Sequence, residues 1–127
     1  MASETTSPSL FERIGGNRTI AAAVELFYDN VLADALLRPF FVGLDMQTQK
    51  RKQRAFLAYA LGAPVRFNGH DLRTAHAPLL ARGLTDEHVR AMVGHLATTL
   101  AALSVPPAEI AEVLAIAAAA GEDVLGR

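Results

Sequence analysis

The chain has 127 residues, no cysteine, and a formal net charge of −1 from 12 Lys+Arg and 13 Asp+Glu. This length corresponds to one domain on the usual scale of about 100–200 residues, and the missing basic excess argues against a protein that binds nucleic acid through its charge. The lack of cysteine excludes disulfides, thiolate metal sites and iron–sulfur clusters and fits a reducing cytoplasm, while no apolar run approaches the roughly 18 residues of a membrane span. We therefore expect a cytoplasmic protein whose partners are neither nucleic acids nor membranes.

The composition favours helices throughout the chain. Alanine occurs 24 times and leucine 17 times, against 13 valines and isoleucines together, and alternating strand patterns are missing. We expect residues 1–8 to form a flexible tail and residues 9–127 to form a single all-α domain with four substantial helices. The predicted helical segments are, in chain order, about 9–14, 18–32, 35–38, 46–61, 72–77, 86–104 and 106–120.

The predicted helix starts rest on residues that commonly cap helices. Five side chains stand where their oxygen atoms can accept the first free backbone N–H groups of a helix: Asn17, Asp34, Asp45, Asp71 and Thr85. The last helix is predicted to open at Pro106-Pro107, because proline is well suited to the first turn.

One face of the helix predicted over 46–61 combines amides with apolar side chains. Gln49 and Gln53 are one turn apart, and Phe56 continues the same face. The two amides either form the polar rim of an ordinary helix or point as donors into an apolar cavity. Burying an amide without a partner costs about 1–3 kcal/mol, so a buried pair would indicate a polar ligand. Tyr28 is likewise either a tyrosine at the edge of the core or a phenol donor facing that cavity.

The four histidines differ in their sequence surroundings. His76 ends the predicted short helix beside a long loop, where a neutral imidazole can bind a metal, although a histidine at the core boundary is the alternative. His88 and His95 are seven residues apart, whereas metal-binding pairs on a helix are usually four apart, so we interpret both as structural. His70 is interpreted as a loop residue. Protein contacts alone would stabilise the segment 63–78 poorly, and a cofactor is one candidate to fill that space.

Several short stretches, each weak alone, form a specific series along the chain. They are Ile14-Gly15-Gly16, Phe27-Tyr28, Val31-Leu32-Ala33-Asp34, Pro39-Phe40-Phe41, Lys52-Gln53, Ala60-Leu61-Gly62, Ala75-His76 and Val93-Gly94-His95-Leu96. Their order and spacing, from about Leu10 to Leu114, resemble the truncated haemoglobins, small globins with a two-over-two helical sandwich. The second and third groups of that family usually carry a tryptophan where this chain has Val93, so the resemblance is to group one.

The resemblance implies haem b as cofactor and a role for eight residues around it. His76 is then the proximal iron ligand, and Tyr28, Gln49 and Gln53 surround the ligand on the opposite side. The residues implied to contact or flank the haem are Phe41, Lys52, Phe56 and Val93. Lys52 either pairs with a haem propionate or binds iron through its neutral amine.

The function implied is reversible binding of O2, CO and nitric oxide at an open or labile sixth coordination site. An enzymatic version would oxidise nitric oxide to nitrate and would need a separate reductase, since no flavin or nicotinamide domain is recognisable. The alternatives are a haem-based redox or gas sensor acting through a partner protein, and a haem-free helical adaptor. We expect a monomer or a weak homo-oligomer.

Overall fold

The computed structural model describes residues 8–63 and 83–125, with backbone alone at residue 123. Within these ranges the regular elements are helical, which confirms the all-α prediction and the four substantial helices. They are α1 (Leu10–Arg13), α2 (Gly16–Leu32), a 3-10 turn (Arg38–Phe41), α3 (Met46–Ala60), α4 (Asp86–Ala102) and α5 (Pro107–Val124). The predicted helix at 72–77 and nearly all of the predicted tail lie outside the described residues. No helix in the described ranges has the length and apolar character needed to cross a membrane.

Helices α1 and α2 begin in different ways, α1 with side-chain caps and α2 with a turn of the backbone. Ser9 and Glu12 cap α1 reciprocally: the Glu12 N–H donates to Ser9 Oγ at 3.2 Å, and the Ser9 N–H donates to Glu12 Oε1 at 3.1 Å. The chain then turns at Gly15 and Gly16, whose φ angles of 118° and 69° are readily adopted by glycine alone. The prediction that Asn17 caps the next helix is therefore wrong, since Asn17 lies inside the first turn of α2.

Asp34 organises the corner between α2 and α3, which comprises residues 33–45. Its Oδ1 atom accepts the Leu36 N–H at 2.9 Å. Its carbonyl oxygen accepts two further N–H groups, from Leu37 at 3.1 Å and Arg38 at 2.8 Å. These bonds form turns rather than the helical segment predicted over 35–38, and the 3-10 turn follows at Arg38–Phe41. The prediction recognised the capping residue but placed the helical turn too early.

The starts of α3, α4 and α5 agree with the prediction. The Asp45 Oδ1 atom accepts N–H groups from Gln47 at 3.0 Å and Thr48 at 3.4 Å. At the start of α4, the Thr85 N–H donates to His88 Nδ1 at 3.0 Å, so a histidine takes the place of the more usual acidic partner.

The helices pack as two pairs, α2 with α3 and α4 with α5. Helix α2 also contacts α4, and α1 contacts both α2 and α5. The residues of α2 that are at most 2% exposed are Ile20, Ala23, Val24, Tyr28 and Val31. Thr99 of α4 is fully buried, and its hydroxyl accepts the Asn30 amide of α2 at 3.3 Å. Tyr28 is thus held in a well-packed helix between two others.

An ion-pair cluster connects the short α1 to α5. Arg13 Nη1 lies 3.0 Å from Glu109 Oε2 and 2.8 Å from Glu112 Oε2. A second donor, Arg13 Nη2, reaches Glu112 Oε1 at 2.9 Å, so the pair with Glu112 is bidentate. The hydrogen bonds from Arg13 hold the pKa of the Glu112 carboxyl below its ordinary value of 4.5. The first and last described helices are therefore tied together.

Two glycines of different geometry provide a matched test of this fold. Gly62 has a φ of 101°, and a Cβ atom there would lie 3.0 Å from Ser9 Cβ. We expect Gly62→Ala to lower the free energy of unfolding by about 1–3 kcal/mol. Gly94, inside α4, has open space around it, so Gly94→Ala is expected to raise that free energy by about 0.5–1 kcal/mol. Denaturant unfolding of both variants beside the parent protein measures the difference, and shifts of the same sign would contradict this description.

Candidate functional site

Tyr28 places a polar group in the centre of the described structure. Its side chain is 1% exposed, and its hydroxyl oxygen accepts a hydrogen bond from Gln49 Nε2 of α3 at 3.2 Å. Burial raises the pKa of Tyr28 above its ordinary value of 10.0, and the hydrogen bond from Gln49 offsets only part of this effect. The phenol therefore keeps its proton at neutral pH and is able to donate a hydrogen bond.

The corner after α2 brings an aromatic ring against this phenol. Phe41 meets Tyr28 edge to face, with ring centroids 5.7 Å apart and an interplanar angle of 74°. Phe27 packs on the same tyrosine with centroids 5.1 Å apart. Phe27 is buried, whereas Phe41 is half-buried. The tyrosine hydroxyl is thus set in aromatic surroundings, where hydrogen bonds are stronger than in water.

The predicted face of α3 is oriented towards the core. Gln49, Gln53 and Phe56 are half-buried, and Leu57 after them is buried. Gln49 is engaged with Tyr28, whereas no hydrogen bond joins the Gln53 side chain to another residue in the described part of the chain. The structure therefore brings Tyr28, Gln49 and Phe41 together and leaves Gln53 one turn further along the same face.

The two lysines of α3 differ in their partners. Lys52 is exposed and forms no ion pair with any residue that the structure describes. Lys50 is instead bound to Glu25 of α2, with Nζ 2.9 Å from Oε1. Lys52 is consequently the lysine of this helix whose ammonium group is available to a further partner.

The remaining predicted site residues are found elsewhere or lie outside the described ranges. Val93 is half-buried on α4, which packs on α2. His76, predicted as a metal ligand, and His70 lie outside the described residues. Among the described residues no group of three histidine, cysteine, aspartate or glutamate side chains is arranged to hold a metal ion.

His88 and His95 each have a structural partner, in agreement with their interpretation from sequence. His88 caps α4 and packs edge to face on Phe40, with ring centroids 4.8 Å apart. His95 Nε2 lies 2.7 Å from Asp34 Oδ2, with both side chains 26% exposed. The sequence offered no signal for this second contact, because 61 residues separate its partners.

The arrangement can bind a small polar ligand beside an apolar surface. The protonated phenol of Tyr28 and the amide of Gln49 supply fixed donors, and half-buried Phe41 supplies apolar area next to the phenol. Fixed donors of this kind stabilise negative charge that develops on a ligand.

Comparisons with known proteins connect this geometry to one family. The family described as "Bacterial-like globin" matches residues 9–123. The group 1 truncated hemoglobin LI410 of Chlamydomonas moewusii is 47% identical over 92% of this chain and 68% of its own length. The group 1 truncated hemoglobin GlbN of Synechocystis is 40% identical over 87% of this chain and 90% of its own length.

Solved structures agree with these relatives. The crystal structure of the 2/2 hemoglobin from Synechococcus sp. PCC 7002, in the cyanomet state and with covalently attached heme, superposes with a TM-score of 0.89. It is 42% identical, and the match covers 94% of this chain and all of that one. The chain therefore belongs to the bacterial-like globins, with the two-over-two fold of the group 1 truncated haemoglobins.

Proposed function

We propose that the chain holds haem b next to Tyr28, Gln49 and Phe41 and binds O2 and other diatomic ligands there reversibly. The observation that carries the proposal is the buried, protonated phenol of Tyr28 paired with the Gln49 amide and flanked by Phe41. Membership in the globin family implies haem with its iron as cofactor.

The described residues fit such a group in two respects. The hydroxyl of Tyr28 accepts a hydrogen bond, but no described residue accepts its own hydrogen, although buried polar groups normally find partners. A ligand beside it would provide that acceptor. Three apolar side chains are only half-buried in the protein alone, and a flat apolar group would cover them: Phe41, Phe56 and Val93.

Haem iron, when bound, would supply reversible binding of O2, CO and nitric oxide and, with a separate reductase as the electron source, oxidation of nitric oxide to nitrate by O2. The chain's own contribution is to hold and orient the donors. Gln49 fixes the phenol oxygen of Tyr28, which leaves the phenol hydrogen free to point at a ligand. We expect Gln53, one turn along α3, to donate a second hydrogen bond to the ligand.

The family resemblance is the ground for proposing His76 as the protein ligand of the iron. His88 Nδ1 accepts a backbone N–H and His95 Nε2 binds a carboxylate, so each of these two rings has a structural partner. His76 has the position that the resemblance assigns to the ligand.

The first prediction concerns that assignment. His76→Ala should weaken haem retention and change the absorption spectrum of the ferrous protein, because it removes the neutral imidazole that holds the iron. His70→Ala is the matched control and should keep the parent spectrum. Ferric, ferrous, oxygenated and CO-bound spectra of both variants are the measurement. If His70→Ala loses the parent ferrous spectrum while His76→Ala keeps it, the assignment is wrong.

The second prediction concerns the phenol. A hydrogen bond to a charged acceptor contributes about 1.5–3 kcal/mol, and each 1.4 kcal/mol is about tenfold in rate. Tyr28→Phe should therefore speed O2 release by about 10- to 100-fold and CO release much less, because bound CO is less polar. Tyr59→Phe, on the 44% exposed tyrosine of α3, is the control and should change neither rate. Equal acceleration of O2 and CO release in Tyr28→Phe would indicate a steric role instead.

A third prediction concerns Lys52, for which we propose an ion pair with a haem propionate. The ammonium is exposed and has no partner among the described residues, and exposed ion pairs contribute about 0–1 kcal/mol. Lys52→Ala should therefore lower haem affinity by no more than about fivefold and leave the ferric spectrum at high pH unchanged. Arg51→Ala removes a neighbouring exposed charge and is the control.

The competing role for Lys52 is coordination of iron through its neutral amine, which requires the ammonium group to lose a proton. A ferric protein that is low-spin at high pH and becomes high-spin in Lys52→Ala, but not in Arg51→Ala, would establish that role. The comparison at one pH is necessary because hydroxide also produces low-spin character.

A further inference from the structure

Two histidines of helix α4 contact the corner between α2 and α3. His95 binds the Asp34 carboxylate at the beginning of the corner, with Nε2 2.7 Å from Oδ2. Two turns earlier on the same helix, the His88 ring packs on Phe40, with centroids 4.8 Å apart. Neither histidine contributes to the site proposed above, yet both hold the segment that carries Phe41.

The Asp34 carboxylate links His95 to the backbone of the corner through hydrogen bonds. While Oδ2 accepts from His95, Oδ1 accepts the Leu36 N–H at 2.9 Å. These two hydrogen bonds, with the one from His95 the stronger influence, hold the pKa of Asp34 below its ordinary value of 3.8, so the carboxylate is charged at neutral pH. The positive charge of Arg38 acts in the same direction. The orientation of this carboxylate fixes the first turn of the corner.

Backbone hydrogen bonds within the corner and the ring of Phe41 connect that turn to the phenol. The Leu37 carbonyl accepts the Phe40 N–H at 3.0 Å, and the Phe41 carbonyl accepts the Leu44 N–H at 3.2 Å. The Phe41 ring then meets Tyr28 edge to face at 5.7 Å. Tyr28 is thus held by Gln49 through its hydroxyl and by Phe41 against its ring.

We propose that His95 is a positioning residue for the ligand site: by holding Asp34, it fixes the corner so that Phe41 keeps the Tyr28 phenol directed at the bound ligand. This inference rests on the proposed function for its ligand, but the step from His95 to the corner stands on the contacts themselves. His95 acts through Asp34 and Phe41 and does not itself touch the ligand.

The contact must be distinguished from a general link between helices. Asn30 of α2 also bonds across to α4, through Thr99 at 3.3 Å. It joins the same two helices but does not engage the corner. A variant that lacks the Asn30 contact therefore measures the effect of weakening the contact between α2 and α4 without changing the corner.

Three variants test the proposal, with two readouts each. His95→Leu removes the donor to Asp34 at similar volume, His95→Gln keeps an N–H donor, and Asn30→Ala is the matched control. The first readout is amide hydrogen exchange across residues 34–44, and the second is the O2 dissociation rate of the haem-loaded protein. His95→Leu should raise exchange in the corner by on the order of tenfold, because it deletes a hydrogen bond to a charged group. It should raise the O2 dissociation rate several-fold, and His95→Gln should recover much of both effects.

The possible outcomes separate the steps of the proposal. Unchanged exchange in His95→Leu, or equal changes in His95→Leu and Asn30→Ala, would overturn the role of His95 in holding the corner. Faster exchange with an unchanged O2 dissociation rate would overturn the positioning of Tyr28 and leave His95 with a stabilising role only. If the parent protein binds no O2, the proposed function fails, while the exchange measurements still decide whether His95 holds the corner.

Discussion

The burial of Tyr28, a residue of α2 that is hydrogen-bonded to α3, is the interaction on which the rest of the site depends. A phenol at 1% exposure is stable there because Gln49 satisfies its oxygen, and the amide can do so because α3 packs along α2. The same burial raises the pKa of the phenol, which makes it a dependable donor at neutral pH. Packing, protonation and hydrogen bonding are therefore consequences of one placement, and a change that opened the α2–α3 contact would weaken all three together.

The sequence predicted most of what is determined locally. Asp45 and Thr85 were recognised as helix starts because capping depends on a few neighbouring residues, and the core-facing side of α3 followed from helical periodicity. The assignment of Asn17 is wrong because, although asparagine is a common capping residue, two adjacent glycines with positive φ begin the helix two residues earlier. The capping preference of Asn17 is outweighed by the positive φ angles of the two glycines, which other residues rarely adopt.

The contacts between distant parts of the chain could not be predicted from composition or periodicity. His95 and Asp34 are 61 residues apart, and Arg13 and Glu112 are 99 apart, so no pattern in either segment identifies the other. The site residues were assigned by resemblance to a family, through their spacing, and the structure places both Gln49 and Phe41 in contact with Tyr28. The roles of His76 and Lys52 remain predictions from that resemblance.

The tie between Arg13 and α5 has a consequence for the order in which the chain assembles. A helix of four residues such as α1 is too short to persist alone. Its side chain Arg13 finds Glu109 and Glu112 only after more than 95 further residues have been made, and its Phe11 N–H bonds the Leu61 carbonyl at 2.8 Å. The contact between α1 and α5 is therefore expected to form late in folding, because closing so long a loop precedes any gain from the contact. The bond between Phe11 and Leu61 closes a shorter loop and is expected to form before it.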